Sequence, residues 1–254
     1  MPLSNLIAYR EVRKVYNPGA GEVMALDEFS LDVADGEFLT VVGRSGCGKT
    51  TLLKLTSGLL PPTSGSVHVA GKPVTAPLTN IGIVFQAPVL LPWRKTLDNV
   101  LLQIEARNLD VNGYRKRALE LLELTGLKGF EDRYPSQLSG GMQQRVSISR
   151  ALIHNPPLLL MDEPFGALDA ITRDEMNLEL LRIWNESKKT VLFITHSIPE
   201  AVFLGDRVIV MTPRPGKIAE ILNIDLPHPR TTALRDDAKF IGYVKRIRER
   251  LGVH

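Results

Sequence analysis

The segment Gly43-Arg44-Ser45-Gly46-Cys47-Gly48-Lys49-Thr50 constrains the fold of this chain more than any other. It matches the pattern G-x-x-x-x-G-K-[ST] and follows an apolar run, Glu37 to Val42, that reads as a buried strand. It precedes the apolar stretch Thr51 to Leu59, which reads as a helix. In that order, strand, glycine-rich turn and helix form a wrapper for an anion. The glycines remove the Cβ atoms that would keep backbone N–H groups from closing around a phosphate, and the helix start adds partial positive charge. Lys49 has the reach for β- and γ-phosphates, and the Thr50 hydroxyl is a ligand for Mg²⁺. A chance match in a glycine-rich turn is the alternative, and the flanking strand and helix argue against it.

Further buried strands are expected at Ile81 to Phe85, Leu158 to Met161, Thr190 to Thr195 and Arg207 to Met211, with a helix over Asp174 to Trp184. Strands alternating with helices imply an α/β fold with a parallel sheet covered on both faces, and such sheets bind ligands at the carboxyl ends of their strands. Val67, Val69 and Val74 around the Gly71-Lys72 turn suggest a small antiparallel hairpin. Between the strands, the block Ala87 to Arg150 is helical in character. Thr96 is placed to cap a helix carrying Leu97, Val100, Leu101 and Ile104 on one face. A second helix, Tyr114 to Thr125, turns Ala118, Leu121 and Leu122 inward and stops at Gly126. The expected organisation is a core from residues 1–86 and 151–226, an inserted helical subdomain from 87–150 and a tail from 227–254.

Leu158-Leu159-Leu160-Met161-Asp162-Glu163 is an apolar strand ending in two carboxylates. Successive strand residues point opposite ways, so the two acids can hold different roles. Asp162 is the expected Mg²⁺ ligand, directly or through water, and Glu163 the base that polarises an attacking water. A solvated acidic turn before Pro164 is the alternative, disfavoured by the phosphate loop upstream.

Leu138-Ser139-Gly140-Gly141-Met142-Gln143-Gln144-Arg145 resembles the LSGGQ-type signature of the ABC family. Ser139 can cap the following helix, and Gly140-Gly141 expose N–H groups at its start, an anion site with no catalytic acid beside it. The resemblance covers nearly the whole chain, from about Val12 to Leu226. It implies a P-loop NTPase (RecA-like) core with an antiparallel β subdomain and an inserted helical subdomain. It further implies that Gln86 senses Mg²⁺ and water, that Ala167-Leu168-Asp169 runs along a dimer interface, and that the His196 side chain contacts the γ-phosphate. Tyr16, just before the segment Asn17 to Val23, sits where the family has an aromatic that stacks on adenine. By that resemblance Gly43, Arg44, Ser45, Gly46, Cys47, Gly48, Lys49, Thr50, Thr51, Ser139, Gly140, Gly141, Gln143 and Asp169 are nucleotide-binding positions. Lys49, Gln86, Glu163 and His196 are catalytic positions, and Thr50, Gln86 and Asp162 hold Mg²⁺. Many relatives have an acid after the switch histidine where this chain has Ser197. Ser197 with Glu200 is expected to form a capping box, with Pro199 in the first turn.

In the family one chain's phosphate loop meets the signature of a second copy, so a head-to-tail dimer around two ATP molecules is implied. The helical lobe is where the family docks its membrane subunit, and Pro88 to Pro92 with Trp93 is an apolar candidate there. The absence of a fused membrane domain favours an importer, with a solute-binding protein as an indirect partner. Phe85-Gln86, Leu91-Pro92-Trp93-Arg94 and Met211-Thr212-Pro213-Arg214-Pro215-Gly216 resemble the nitrate, sulfonate and taurine branch. A soluble ABC ATPase of DNA maintenance or translation is the rival. The lobe is too compact for the coiled coil of the first, and one ATPase unit is too few for the second.

Composition bounds the partners. The formal charge of +3 is spread among interleaved acids, so no nucleic-acid partner is indicated. The single cysteine, Cys47, fits a reducing compartment. Met1 to Val12 has no apolar core of signal-peptide length, and no run is long enough to span a bilayer. The expectation is a peripheral protein on the cytoplasmic face of the inner membrane. In the tail, Leu222, Ile224 and Leu226 alternate as an edge strand. Phe240, Val244, Ile247 and Leu251 line one face of a basic helix that is expected to pack back on its own domain.

Overall fold

The computed structural model describes residues 5–252 apart from 18 and 20. Parts of the Met1 to Val12 stretch, of the Asn17 to Val23 segment and of the 227–254 tail thus lie outside the described residues. The first half of the chain runs β1 (Asn5–Tyr16), β2 (Val23–Ala34), β3 (Phe38–Val42), α1 (Lys49–Thr56), β4 (Ser64–Val69), β5 (Lys72–Pro73), β6 (Ile81–Val84), α2 (Thr96–Glu105) and α3 (Val111–Leu124). The second half runs α4 (Gly140–Leu152), β7 (Leu158–Asp162), α5 (Ala170–Ser187), β8 (Thr190–Ile194), α6 (Ile198–Leu204), β9 (Arg207–Met211), β10 (Ile218–Asn223) and α7 (Ala238–Leu251). Six strands form one sheet in the order β10-β9-β3-β8-β7-β6, parallel except for the antiparallel edge strand β10. The other four form an antiparallel sheet, β2-β1-β4-β5.

The central strands are apolar throughout because each face meets a different core. Phe38, Val42, Leu159, Met161, Val191, Phe193, Val208 and Val210 face a cluster shared with the helical lobe, α5, α6 and α7. Their alternate neighbours, Leu39, Val41, Leu158, Leu160, Leu192, Ile194, Ile209 and Met211, face a cluster shared with α1 and the antiparallel sheet. This period-two division is the expected doubly covered sheet. Each fully buried aliphatic or aromatic side chain contributes about 1.5–3 kcal/mol relative to exposure, so strand identity and register are strongly specified.

Local chemistry departs from the sequence-based expectation at several ends. Thr96 does not cap α2 but is its first residue, and its hydroxyl donates to the Arg133 carbonyl at 3.0 Å. The helix expected over Asp174 to Trp184 begins earlier, because Asp169 caps it by accepting from the Thr172 N–H at 3.0 Å. At α6, Ser197 accepts from the Glu200 N–H at 3.4 Å, but only half of the capping box forms. The Ser197 N–H is taken by the Thr195 hydroxyl at 2.9 Å, and the buried Glu200 carboxylate bonds that same hydroxyl. Burial pushes the Glu200 carboxyl above its usual range, against the hydrogen bond from Thr195. In the tail, β10 ends at Asn223, with Leu222, Ile224 and Leu226 all buried. Phe240, Val244 and Ile247 of α7 join the same core as Val208 and Val210, so this helix packs on its own domain as expected.

His154 follows α4 and faces the Arg107 guanidinium, with Nε2 and Nη2 3.0 Å apart. Burial, then the Arg107 charge, lower its pKa from 6.5 to about 4. A folded pKa below the unfolded one means that the unfolded chain binds the extra proton, so stability is lost as pH falls from 6.5 towards 4. Urea midpoints between pH 7 and pH 4 are expected to fall less steeply in His154→Gln than in the wild type. Equal slopes would remove this residue from the acid sensitivity.

Candidate active site

Five parallel strands end on one edge of the sheet, and the segment after each bears one part of the site. The phosphate loop follows β3, Gln86 follows β6, Asp162 closes β7 with Glu163 after it, His196 follows β8, and the loop 212–217 follows β9. Pairings such as Val84 with Met161, Asp162 with Ile194 and Val42 with Val210 hold these ends level.

The loop after β3 owes its shape to glycine. Gly48 has φ 104°, and a Cβ there would lie 2.7 Å from the Ala25 carbonyl oxygen and 2.8 Å from Leu26 Cδ2. No other residue fits that turn without moving the β2 backbone. Lys49 is 6% exposed, yet no carboxylate pairs with it among the described residues. Its ammonium donates instead to the carbonyls of Gly43 at 2.8 Å and Arg44 at 3.2 Å, which keeps the loop coiled over the start of α1. The N–H groups of the first helical turn have no intrahelical partners, so loop and helix together present a cluster of donors.

The Thr50 hydroxyl donates to Asp162 Oδ2 at 2.7 Å, joining α1 to β7. Asp162 is buried, and burial raises its carboxyl pKa, opposed by the Thr50 bond and reinforced by the charge of Glu163. The separation of the two acids does not come from strand alternation. β7 ends at Asp162, and Glu163 takes a left-handed φ of 46° while its N–H donates to the Ile194 carbonyl at 2.9 Å. A non-glycine residue held in that region is strained, and the turn swings the carboxylate over the sheet edge. There Glu163 Oε2 accepts from Gln86 Nε2 at 3.1 Å and lies 3.2 Å from His196 Nδ1. Three residues from three adjacent strand ends thus share one oxygen. A carboxylate so placed can accept a proton from a bound water, and the glutamine and histidine fix its orientation.

A cavity of about 400 Å³ has walls from Tyr16, Ser45, Gly46, Gly48, Lys49, Thr50, Thr51, Gln86, Glu163 and His196, while Asp162 is bonded to Thr50 without lining it. Tyr16 ends β1 in register with Val23, which fixes its position at the end of that strand. Its hydroxyl lies 3.2 Å from Thr51 Oγ1. The sequence-based expectation missed Val23, Ala25 and Arg214, which also line the cavity.

Other expected site residues lie elsewhere. Gly43, Arg44 and Cys47 back the loop without lining the cavity. Cys47 is buried, and burial raises its thiol pKa. The Arg44 guanidinium leaves the loop altogether and donates to the carbonyls of Leu251 at 3.0 Å and Gly252 at 3.1 Å, at the C-terminal end of α7. Ser139, Gly140, Gly141, Gln143 and Asp169 are likewise away from the cavity. Ser139 caps α4 through the Met142 N–H at 3.2 Å, and the space around a Cβ on Gly140 is open to at least 4 Å. The Gln143 amide is occupied with the carbonyls of Pro135 at 3.0 Å and Leu138 at 3.2 Å, so this side chain braces the loop before α4. Gly141 packs against Leu168, which brings the Ser139 segment and the Asp169 segment together on one exposed face.

Residues 26–166 match the family model described as ABC transporter. The chain is 48% identical to the taurine import ATP-binding protein TauB of Rhizobium johnstonii, covering 86% of this chain and 83% of that protein. It is 47% identical to the nitrate import ATP-binding protein NrtD of Synechococcus elongatus, covering 86% of this chain and 81% of that protein. In fold it resembles the ATP-binding cassette MJ0796, solved as a dimer in a post-hydrolysis state bound to ADP and Pi. The TM-score is 0.80 at 34% identity, with 87% of this chain and 100% of that chain covered.

Proposed function

The chain belongs to the ABC transporter family, and from that membership and the site geometry we propose that it binds and hydrolyses ATP to power import of a small anionic solute of the nitrate, sulfonate or taurine kind. The observation that carries this is the convergence of Gln86 and His196 on the Glu163 carboxylate, beside a phosphate loop whose lysine has no acidic partner among the described residues. The cavity suits ATP. Tyr16 offers a ring face for the base at one end. The loop N–H groups and Lys49 offer donors for the phosphates at the other. Thr50, Asp162 and Gln86 supply a hydroxyl, a carboxylate and an amide oxygen, all hard donors, and this set fits Mg²⁺ held mainly by waters and phosphates. When bound, that ion neutralises charge developing between the β- and γ-phosphates.

The protein's own steps follow from the geometry. The loop and Lys49 hold the γ-phosphate in place. Glu163 takes a proton from the water that attacks the γ-phosphorus, as the bond to the β,γ-bridging oxygen breaks. Gln86 and His196 keep the carboxylate aimed, and His196 is exposed enough to meet the γ-phosphate itself.

Ser139 to Gly141 present backbone donors on an exposed face outside the lining of the cavity. A second copy facing head-to-tail would bring that donor site, with Asp169, over the first copy's phosphates. The dimeric state of the related cassette supports this arrangement. The family context supports a membrane permease as partner, a solute-binding protein acting through it, and a place on the cytoplasmic face of the membrane. No helix among the described residues is long and apolar enough to cross a membrane.

The segment before α2 is suited to meet the permease. Trp93 is 71% exposed and Val89 61% exposed, yet their backbone is fixed. The buried Asn99 accepts from the Leu91 N–H at 2.8 Å and donates to the Arg94 carbonyl at 2.9 Å, while Arg150 holds the carbonyls of Pro88 and Val89 at 2.8 Å. A rigid, exposed tryptophan is a typical interface anchor. Trp93→Ala is expected to leave the melting temperature unchanged but to cut recovery of the permease about tenfold or more when the tagged subunit is purified from solubilised membranes. Full recovery would move the docking surface elsewhere. The same purification tests transport itself: a multi-spanning permease in near-equal amount supports it, and nucleic-acid or ribosomal factors in its place would overturn it.

A further inference from the structure

The loop between β9 and β10 is built against the outside of the phosphate loop. Its Gly216 N–H donates to the Ala25 carbonyl at 3.0 Å, and the Gly216 carbonyl accepts from the Asp27 N–H at 3.2 Å. A Cβ on Gly216 would lie 2.1 Å from the Cys47 carbonyl oxygen, so only glycine allows this approach. The Thr212 hydroxyl closes the loop, donating to the Pro215 carbonyl and accepting from the Lys217 N–H, both at 2.9 Å. This frame carries Arg214 into the cavity wall beside Ser45, Gly46 and Lys49.

One edge of the Arg214 guanidinium is used. Nε and Nη2 donate to the Gly46 carbonyl at 3.3 and 3.2 Å. A guanidinium has five N–H donors, so three remain, and neither a carboxylate nor another acceptor meets them among the described residues. A cation held rigidly by one edge, with its other edge free on a cavity lined by phosphate-loop donors, matches an anionic oxygen ligand. Resting on the assignment of this cavity to ATP, we propose that Arg214 is a nucleotide-binding residue that donates to a phosphate oxygen of the bound nucleoside triphosphate. It is a second side-chain cation for the phosphates besides Lys49, delivered from the far end of the sequence and pre-oriented by Gly46.

The test is calorimetric titration of ATP and of AMP into the full chain and its Arg214→Ala, Arg214→Gln and Arg214→Lys variants, with melting curves to check folding. Wild-type binding of ATP with about tenfold weaker binding by Arg214→Ala is expected, and a smaller loss is expected for AMP. Arg214→Gln should lose as much as alanine, since its amide can still reach the Gly46 carbonyl but carries no charge. Arg214→Lys should recover part of the affinity. ATP affinities within twofold of wild type in both Arg214→Ala and Arg214→Gln would overturn the contact. Full rescue by glutamine would also overturn it, because Arg214 would then act only by bracing Gly46. Wild-type protein that binds no ATP would instead sink the nucleotide site itself, a result distinct from the other two.

Discussion

Glu163→Gln is expected to lower ATP hydrolysis by roughly 10²–10⁴-fold, the range typical for removal of a general base, while ATP still binds and closes the dimer. The substitution keeps the size and planarity of the side chain. Its oxygen can still accept from Gln86, so the constellation around the former Oε2 position survives. What is lost is a group able to take a proton from water. The left-handed backbone at Glu163 is unaffected, because glutamine occupies that conformation about as readily as glutamate. ATP then binds without being spent, and the closed state accumulates by mass action. Light scattering with ATP and Mg²⁺ should report a dimer for this variant and a predominantly monomeric wild type under turnover. Residual hydrolysis above about a tenth of wild type would take the base role from Glu163. A variant that stays monomeric with ATP bound would leave the chemistry intact and remove the dimer.

The parts legible in the sequence are those fixed by local spacing. Gly48 and Lys49 announce the phosphate loop because the turn needs a glycine and the cation six positions from Gly43 folds back onto it. The apolar run into Asp162 announces a strand buried on both faces, and its alternation sorts Leu159 and Met161 from Leu158 and Leu160. Features set by distant pairing were not legible. Arg214 reaches Gly46 only because β9 lies next to β3 in the sheet, a neighbour relation that no local pattern encodes. Arg44 belongs to the phosphate-loop pattern by position, but its side chain is captured by the carbonyls at the end of α7, which a positively charged group favours. Asp162 at the end of β7 and Glu163 after it diverge through a left-handed turn at Glu163, whereas strand alternation would have placed them by a simpler rule. Thr96 looks like a cap in sequence, but the Arg133 carbonyl supplies a tertiary acceptor for its hydroxyl.

Lys49→Ala is expected to weaken ATP binding by roughly one hundredfold, since a hydrogen bond to a charged group is worth about 1.5–3 kcal/mol and each 1.4 kcal/mol is tenfold. The ammonium has three protons. Two are committed to the carbonyls of Gly43 and Arg44, which leaves one for a phosphate oxygen, together with the full charge. Alanine therefore removes both the cation and the strut that keeps the loop coiled. Arginine is not a substitute, because its planar fork is longer and cannot span two carbonyls and a phosphate from the same buried position. The readout is the melting temperature with and without saturating ATP. Wild type and Glu163→Gln should both gain stability from the ligand, by RT ln(1 + [L]/Kd), and Lys49→Ala should gain almost none at the same concentration. A Lys49→Ala protein with the wild-type thermal shift would show that the loop N–H groups suffice to hold the phosphates. The pairing of variants matters because both lie in one cavity. Loss of binding at Lys49 with binding retained at Glu163 separates the residue that holds the phosphate from the residue that activates water, and a shared defect would mean that the two act only as a unit.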